Sequence, residues 1–272
     1  MPELPDLQVI RERLAERVVG MHIVSTAVLR PIIVRDLTGG DLGDLAGRSI
    51  TSVGRRGKFL LLGLDGGATI AINPMLAGRI RHGEPLARDR KRDAFVVRLS
   101  NGAELRYNDA ADMGKIYLTR DLAAVPTFNE MGPEATDPDL DFEAFARRTR
   151  RHTGEIKTML TNQSFVAGIG NAYADEICWR ARLYPFRRRP TLDQEELGQL
   201  FETMGATLND AIAILRQRVP DTLDVEVRDF LAVHGKPGQP CPRCGSSISE
   251  VTRERRATHF CRTCQPGLMT AR

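Results

Sequence analysis

The strongest constraint on this chain lies at its C-terminal end, where Cys241-x2-Cys244 and Cys261-x2-Cys264 stand 16 residues apart. Two such pairs have the spacing of a structural four-cysteine zinc site, each pair supplying a knuckle and two thiolates. Closure by four sulfurs leaves no open position for a substrate. The expected cofactor is therefore structural Zn2+, one per chain, held by Cys241, Cys244, Cys261 and Cys264. Between the pairs, Ile248 to Phe260 predicts a hairpin with Arg253, Arg255 and Arg256 at its tip. A core that small does not fold unaided, so the metal would hold its shape. Cys178 brings the count to five. An odd number fits a reducing compartment and one spare thiol better than a disulfide framework.

With 42% hydrophobic residues the chain can cover a core and is no disordered tail. Single cores stop growing at about 250–300 residues, so 272 residues fit two or three modules better than one. The longest stretch without a charge, Thr158 to Ala174, is too polar and too short for the roughly 20 apolar residues of a membrane span. The opening Met-Pro-Glu-Leu-Pro-Asp places acids where a signal peptide carries positive charge. No membrane partner is expected, and the expected location is cytoplasmic, nucleoid-associated in a bacterium.

The net charge is +4, and residues 237–272 alone carry an excess of four positive charges. Further basic runs are Arg147-Arg148-Thr149-Arg150-Arg151-His152 and Arg187-Arg188-Arg189. Any one run reads most simply as a solvated face. Three together, one beside a metal motif, favour a polyanion such as nucleic acid, whose phosphates attract Lys and Arg.

Pattern divides the chain into three regions. Pro5 to Val19 predicts a helix, with Leu7, Ile10, Leu14 and Val18 at helical spacing and Gly20 as its stop. β-branched runs follow at Ile23–Leu29, Ile50–Val53, Phe59–Leu64, Thr69–Ile72, Phe95–Leu99, Glu104–Tyr107 and Ile116–Leu118, predicting a β-sandwich or flattened barrel. A Pro-rich acidic connector over 126–141 precedes helical patterns, the clearest at Leu192–Gln217 and ended by Pro220. The linker Gly235-Lys236-Pro237-Gly238-Gln239-Pro240 introduces the cysteine module. The expected domains are 1–125, 126–234 and 235–272.

Two motifs carry candidate chemistry. Removal of Met1 would leave Pro2 as a secondary amine able to attack a sugar C1′ and form an iminium, with Glu3 beside it as a proton carrier. Taken alone, Pro-Glu-Leu-Pro reads more simply as a helix-capping segment. Gly168 and Gly170 permit a tight turn between two short helices, and Asn171 opens the second. Backbone N–H groups and a side-chain amide there suit a phosphate, though a simple packing turn has the same pattern.

These motifs together resemble the formamidopyrimidine-DNA glycosylase and endonuclease VIII family of base-excision repair enzymes. The matching segments are PELPD, GRRGKFLLL around Lys58, IKTMLTNQSFVAGIGNAYADEICWRARLYP, and PCPRCG with RATHFCRTCQ. The resemblance implies an α+β multidomain fold: an N-terminal β-sandwich with a leading helix, a helix-two-turn-helix domain and a C-terminal zinc-finger hairpin. It implies a bifunctional DNA glycosylase/AP lyase that excises oxidised or ring-opened bases through a Schiff base at Pro2 and acts as a monomer on damaged DNA. By the same resemblance Glu3 is the acid/base, Lys58 is a catalytic-site lysine at a phosphate near the lesion, and Lys157, Asn171 and Arg256 contact phosphates. Met75 in NPMLAG is similar to one of three residues that fill the gap left by a flipped base.

The chain departs from the family in two places. Asn108-Asp109-Ala110-Ala111-Asp112-Met113-Gly114 carries Ala111 and Met113 where the formamidopyrimidine type has the Arg and Phe that complete the gap-filling set. The segment RDFLAVHGKPGQPCP merges stretches that the family keeps apart with a loop over the lesion. Two other functions stay open on the sequence. One is a protein of this fold that binds damaged or single-stranded DNA with little base excision, and the other is a zinc-ribbon transcription or replication factor.

Overall fold

A computed structural model describes residues 1–43, 45–253 and 255–267. Their contacts divide the chain into two compact units, Met1–Glu130 with Ile214–Val227, and Met131–Ala213 with Arg228–Arg272.

The first unit opens with helix α1, Leu4–Val18. A reciprocal capping box fixes its start, the Glu3 N–H donating to Asp6 Oδ2 at 2.7 Å. Leu7, Ile10, Leu14 and Val18 are buried, as their spacing predicts. The helix stops one residue before the predicted end because Val19 is extended and Gly20 takes φ +84°.

Among the described residues nine strands follow: β1 Ile23–Val28, β2 Val34–Asp36, β3 Ile50–Arg56, β4 Phe59–Leu64, β5 Thr69–Asn73, β6 Arg79–Gly83, β7 Asp93–Leu99, β8 Glu104–Asn108 and β9 Lys115–Thr119. They form two sheets, ordered β1-β7-β8-β6 and β2-β9-β5-β4-β3, antiparallel except for the β2–β9 pair. Helix α1 packs on β3 and β4. Strands β2 and β6 carry no apolar run that a sequence could show. Strand β2 has three residues, and β6, Arg-Ile-Arg-His-Gly, buries only Ile80. Beyond its partner β8, β6 is met at its edge by the Thr222 carbonyl, which accepts from the His82 N–H at 3.0 Å.

A buried charge network ties β7 to β8. The Arg106 guanidinium donates to Asp93 Oδ2 at 2.7 Å, Glu104 Oε2 at 2.6 Å and the Leu86 carbonyl at 2.8 Å, while Arg98 reaches Glu104 Oε1 at 3.0 Å. Burial pushes the Glu104 carboxyl up, but its bonds to Arg106 and Arg98 outweigh that and hold it below the ordinary range.

In the second unit, α2 spans Phe142–Thr149, α3 Ile156–Thr161 and α4 Asn171–Arg180, and the 25-residue α5, Gln194–Arg218, begins there and continues into the first. Helix α5 starts two residues after the predicted Leu192 because Asp193 caps it, its Oδ1 accepting from the Glu196 N–H at 2.8 Å. Its end at Arg218 fits the steric demand of Pro220. Strands β10 Ile248–Arg253 and β11 Arg256–Cys261 form the C-terminal hairpin, which pairs Ile248 with Cys261 and Arg253 with Arg256. The architecture is thus a β-sandwich with a leading helix, a helical region and a cysteine-flanked hairpin.

Replacing Arg106 by Met leaves two buried carboxylates facing each other, and urea unfolding should show a loss of about 3–5 kcal/mol at pH 7. The folded pKa of Glu104 is lowered, so its contribution is complete above the unfolded value near 4.3 and disappears as pH falls through the folded value. The difference between Arg106→Met and the parent should therefore shrink with acidification below about pH 4.

Candidate nucleic-acid interface and zinc centre

The four sulfurs at the C-terminal end converge. Cys241, Cys244, Cys261 and Cys264 place their Sγ atoms within 4.8 Å of one another, with Cys244 to Cys261 at 3.4 Å and Cys241 to Cys264 at 3.9 Å. Zn–S bonds of about 2.3 Å in a tetrahedron give S–S edges of about 3.8 Å. The donor set and its size fit zinc. Around it the core is small, Val233, Cys241, Ile248 and Cys261 packed against Trp179, Ala232 and Cys264. The Trp179 indole N–H points at Cys241 Sγ from 3.4 Å, an outer contact that favours the thiolate form. The fifth cysteine, Cys178, is a core residue of α4 whose thiol burial pushes far up, so it is inert.

The hairpin lies against α3 and α4, with the residues just behind its tip, Ala257 and Thr258, meeting Lys157 of α3 and Asn171 at the start of α4. Gln163 braces the turn between the two helices, its amide donating to the Thr161 and Ile169 carbonyls at 2.9 and 2.8 Å and its oxygen accepting from the Gly168 N–H at 2.9 Å. Gly168 takes φ +100°, a conformation that excludes a side chain at little cost only for glycine. Asn171 opens α4, as its position predicts, and its side-chain amide donates to the Ala257 carbonyl at 2.8 Å. Lys157, on α3, is only 7% exposed. Its ammonium lies among Asp175 Oδ1 at 2.6 Å, Thr258 Oγ1 at 2.8 Å and the Ala257 carbonyl at 3.1 Å.

Asp175 was not legible as a functional residue, yet it joins three parts of this unit. It is 0% exposed; its Oδ2 faces His234 Nδ1 at 2.8 Å, the His259 N–H at 3.1 Å and His259 Nδ1 at 3.3 Å. Burial is the largest influence and pushes its carboxyl up, but the two histidines and Lys157 together hold it low. The Asp175 bond raises the pKa of His259, whose Nε2 lies 3.0 Å from Glu250 Oε2. Next to Asp175, Glu176 accepts from the Ala232, Val233 and His234 N–H groups, each at 2.8 Å, and burial still pushes its carboxyl up. Two adjacent acids in the otherwise apolar stretch of α4 were the available signal.

Arg256 is exposed and lines a concavity with His152, Thr158, Met159 and Asn162. Its cross-strand neighbour Arg253 pairs with Glu155 at 2.9 Å and lies 4.3 Å over the Phe186 ring. Parts of the other basic runs are similarly tied inward. Arg187 pairs with Glu196, Arg189 donates to Thr149 Oγ1, and Arg148 donates to the Phe165 carbonyl, whereas Arg147, Arg150 and Arg151 are exposed. The runs are therefore part structural and part solvated.

In the first unit Pro2 is buried directly before α1, and Glu3, the capping residue, is 2% exposed. The Met1 ammonium is 3.2 Å from Glu226 Oε1, and Glu226 also pairs with Arg79. Lys58 lies in the two-residue turn between β3 and β4, with Gly57 at φ +53°, and not inside a strand. Arg55 of that hairpin donates to Gln8 of α1 at 3.1 Å.

Met75 is half-buried with φ +49°, strained on the order of 1–3 kcal/mol for a residue with a side chain. Its N–H donates to Asn73 Oδ1 at 3.1 Å, and the Gly78 N–H closes the loop onto the Pro74 carbonyl at 2.9 Å. The Met113 loop is fixed by Asp109, which accepts from the Gly114 N–H at 2.6 Å and the Ala111 N–H at 3.0 Å. Both loops rest on Tyr107. A Cβ at Gly78 would sit 2.0 Å from the Tyr107 hydroxyl and one at Gly114 1.8 Å from it. Met113 itself is 38% exposed.

Comparison with known proteins covers the chain from end to end. Three family models match in order: the formamidopyrimidine-DNA glycosylase N-terminal domain over residues 1–116, the formamidopyrimidine-DNA glycosylase H2TH domain over 131–220, and the zinc finger found in FPG and IleRS over 238–267. A formamidopyrimidine-DNA glycosylase of Heliobacterium modesticaldum is 38% identical, covering 97% of this chain and all of that one. One of Thermus thermophilus is 34% identical, covering 97% and 98%. The Lactococcus lactis Fpg solved in complex with abasic-site DNA superposes with a TM-score of 0.87 at 30% identity, covering 97% of this chain and 100% of its own. Another Lactococcus lactis structure, an Fpg mutant with DNA containing Fapy-dG, gives the same score and identity. With its three modules in this order and relatives of equal length, the chain belongs to the formamidopyrimidine-DNA glycosylase family, the DNA glycosylases of base-excision repair.

Proposed function

We propose that this protein excises oxidised or ring-opened bases from DNA and then cleaves the abasic strand, through a Schiff base at Pro2, acting as a monomer in the cytoplasm. The observation that carries this reading is the placement of Pro2, buried at the positive end of a 15-residue helix and followed by the buried Glu3. Once Met1 is removed, the helix dipole disfavours protonation of the Pro2 amine and keeps its lone pair available. The working division assigns 1–125 to this chemistry, 126–234 to DNA grip and 235–272 to the metal-held hairpin.

The amine attacks C1′, an N–C1′ bond forms, and the glycosidic bond breaks with its electron pair leaving on the base. Glu3 relays the proton that the departing base and the opening sugar require. The amine gives up its own proton, and the sugar remains joined to Pro2 as a cationic iminium. That charge acidifies C2′–H, so loss of a C2′ proton expels the 3′ phosphate. A second elimination expels the 5′ phosphate, and water then hydrolyses the iminium and returns the amine. Lys58, Asn171 and Arg256 supply cationic and amide groups to the phosphates, and Met75 fills the gap left by the flipped base. One zinc ion per chain, on the four cysteines, keeps the hairpin in shape.

Borohydride added during reaction with abasic-site DNA should trap a covalent adduct at Pro2, whereas a chain that keeps Met1 should give none; peptide mapping of the adduct to Lys58 would overturn the assignment. Glu3→Gln should lower excision by about 10²–10⁴-fold in single-turnover assays while DNA affinity stays nearly unchanged. For the metal, Cys261→Ser should release zinc and weaken DNA binding without altering the melting of the β-sandwich. Stoichiometric zinc that survives replacement of both Cys241 and Cys244 would rule the site out.

A further inference from the structure

The family resemblance assigns Lys157 to a DNA phosphate, but its surroundings point to another task. Lys157 is 7% exposed; its ammonium donates to Thr258 Oγ1 and the Ala257 carbonyl and forms an ion pair with Asp175 Oδ1 at 2.6 Å. A phosphate bound by Lys157 would have to compete with the Asp175 carboxylate for its charge. Two of these three partners belong to β11, directly after Arg256. Asn171 grips the same Ala257 carbonyl from the start of α4. Asp175, with no access to water, holds the next residues of that strand through the His259 N–H and ring, and holds the linker through His234.

We propose that Lys157 and Asp175 form a buried latch that seats the zinc hairpin on α3 and α4, so that Lys157 acts on DNA by positioning Arg256 and not by touching a phosphate. The charge pattern supports this. The latch pairs one cation with one anion and presents no net charge of its own, whereas the exposed guanidinium of Arg256 stands at the open end of the strand that the latch secures. The helix with its lysine and the finger with its arginine are then one composite grip. Lys157 and Asp175 are positioning residues in it.

The inference rests on the reading of Arg256 as a phosphate contact, and the test separates the two. Equilibrium binding to a duplex containing a tetrahydrofuran abasic analogue is measured across NaCl concentration for the full-length zinc-loaded protein and for Arg256→Ala, Lys157→Met, Asp175→Asn and the double variant. One lost phosphate contact reduces the log–log salt slope by about 0.9. Arg256→Ala should show that reduction. Lys157→Met should weaken binding at every salt concentration with the slope unchanged. Asp175→Asn, which removes no positive charge, should weaken binding in the same way, and the double variant should be no weaker than either single one. Amide exchange over residues 256–259 should accelerate at least tenfold in both latch variants, with zinc retained.

A slope reduction in Lys157→Met equal to that of Arg256→Ala would overturn the latch. Tighter binding by Asp175→Asn, the result expected if Asp175 merely competes with phosphate for the lysine, would do the same. If Lys157→Met does not fold, Asp175→Asn alone decides by its exchange and affinity. An unchanged slope in Arg256→Ala would instead remove the phosphate role of Arg256 and leave the latch to be judged by exchange.

Discussion

A carboxylate sealed from water organises the second unit. Asp175 is paired with one lysine and two histidines drawn from α3, the linker after α5 and β11. Such an ion is costly to bury alone, and removal of any partner strands the rest. The zinc hairpin has only a small core of its own, and beside it Phe260 of β11 packs edge-on against Tyr184 and Phe186. Its direction relative to α3 and α4 therefore rests on these ring contacts together with the polar contacts of Lys157 and Asp175, while its internal shape rests on the four sulfurs. Different interactions thus divide the work, the four sulfurs setting the conformation of the hairpin, and the Asp175 cluster with the Phe260 contacts setting its seat.

The first unit meets a comparable problem with a single aromatic side chain. Its two sheets need loops that project from their ends without collapsing onto them, and Tyr107 provides a rigid floor between two glycines. Deep in the same four-stranded sheet, Arg106 balances Asp93 and Glu104. The side chains that carry the proposed chemistry sit at element ends. Glu3 is the cap of α1 and Lys58 occupies the tip of a hairpin. A residue that caps a helix is held by its own backbone geometry, and this is an economical way to position a proton carrier.

Much of this was legible in the sequence wherever periodicity and burial coincide. Strand β4 occupies the same residues that its apolar run marks, Phe59–Leu64, and the buried face of α5 includes Leu197, Leu200, Met204, Leu208, Ile212 and Leu215 as the helical spacing requires. Strands β2 and β6 were hidden because pairing with a neighbour, and not side-chain pattern, makes them strands. The cysteine spacing exposed the metal centre, since ligand geometry is encoded within a few residues. The latch was hidden for the opposite reason. Lys157 and its acceptor at Ala257 are 100 residues apart, and nothing in Ile-Lys-Thr-Met distinguishes a buried lysine from a solvated one. The sequence likewise shows Ala111 and Met113 as departures, but not that their loop and the Met75 loop share one support.

That shared support channels how this part of the molecule can change over generations. While Tyr107 stands between them, positions 78 and 114 admit no side chain, because any Cβ would overlap the hydroxyl. Leu76 and Met113, by contrast, are 54% and 38% exposed. Mutation can explore the tips while the floor stays fixed, and the arrangement separates the freedom to vary from the need to remain folded.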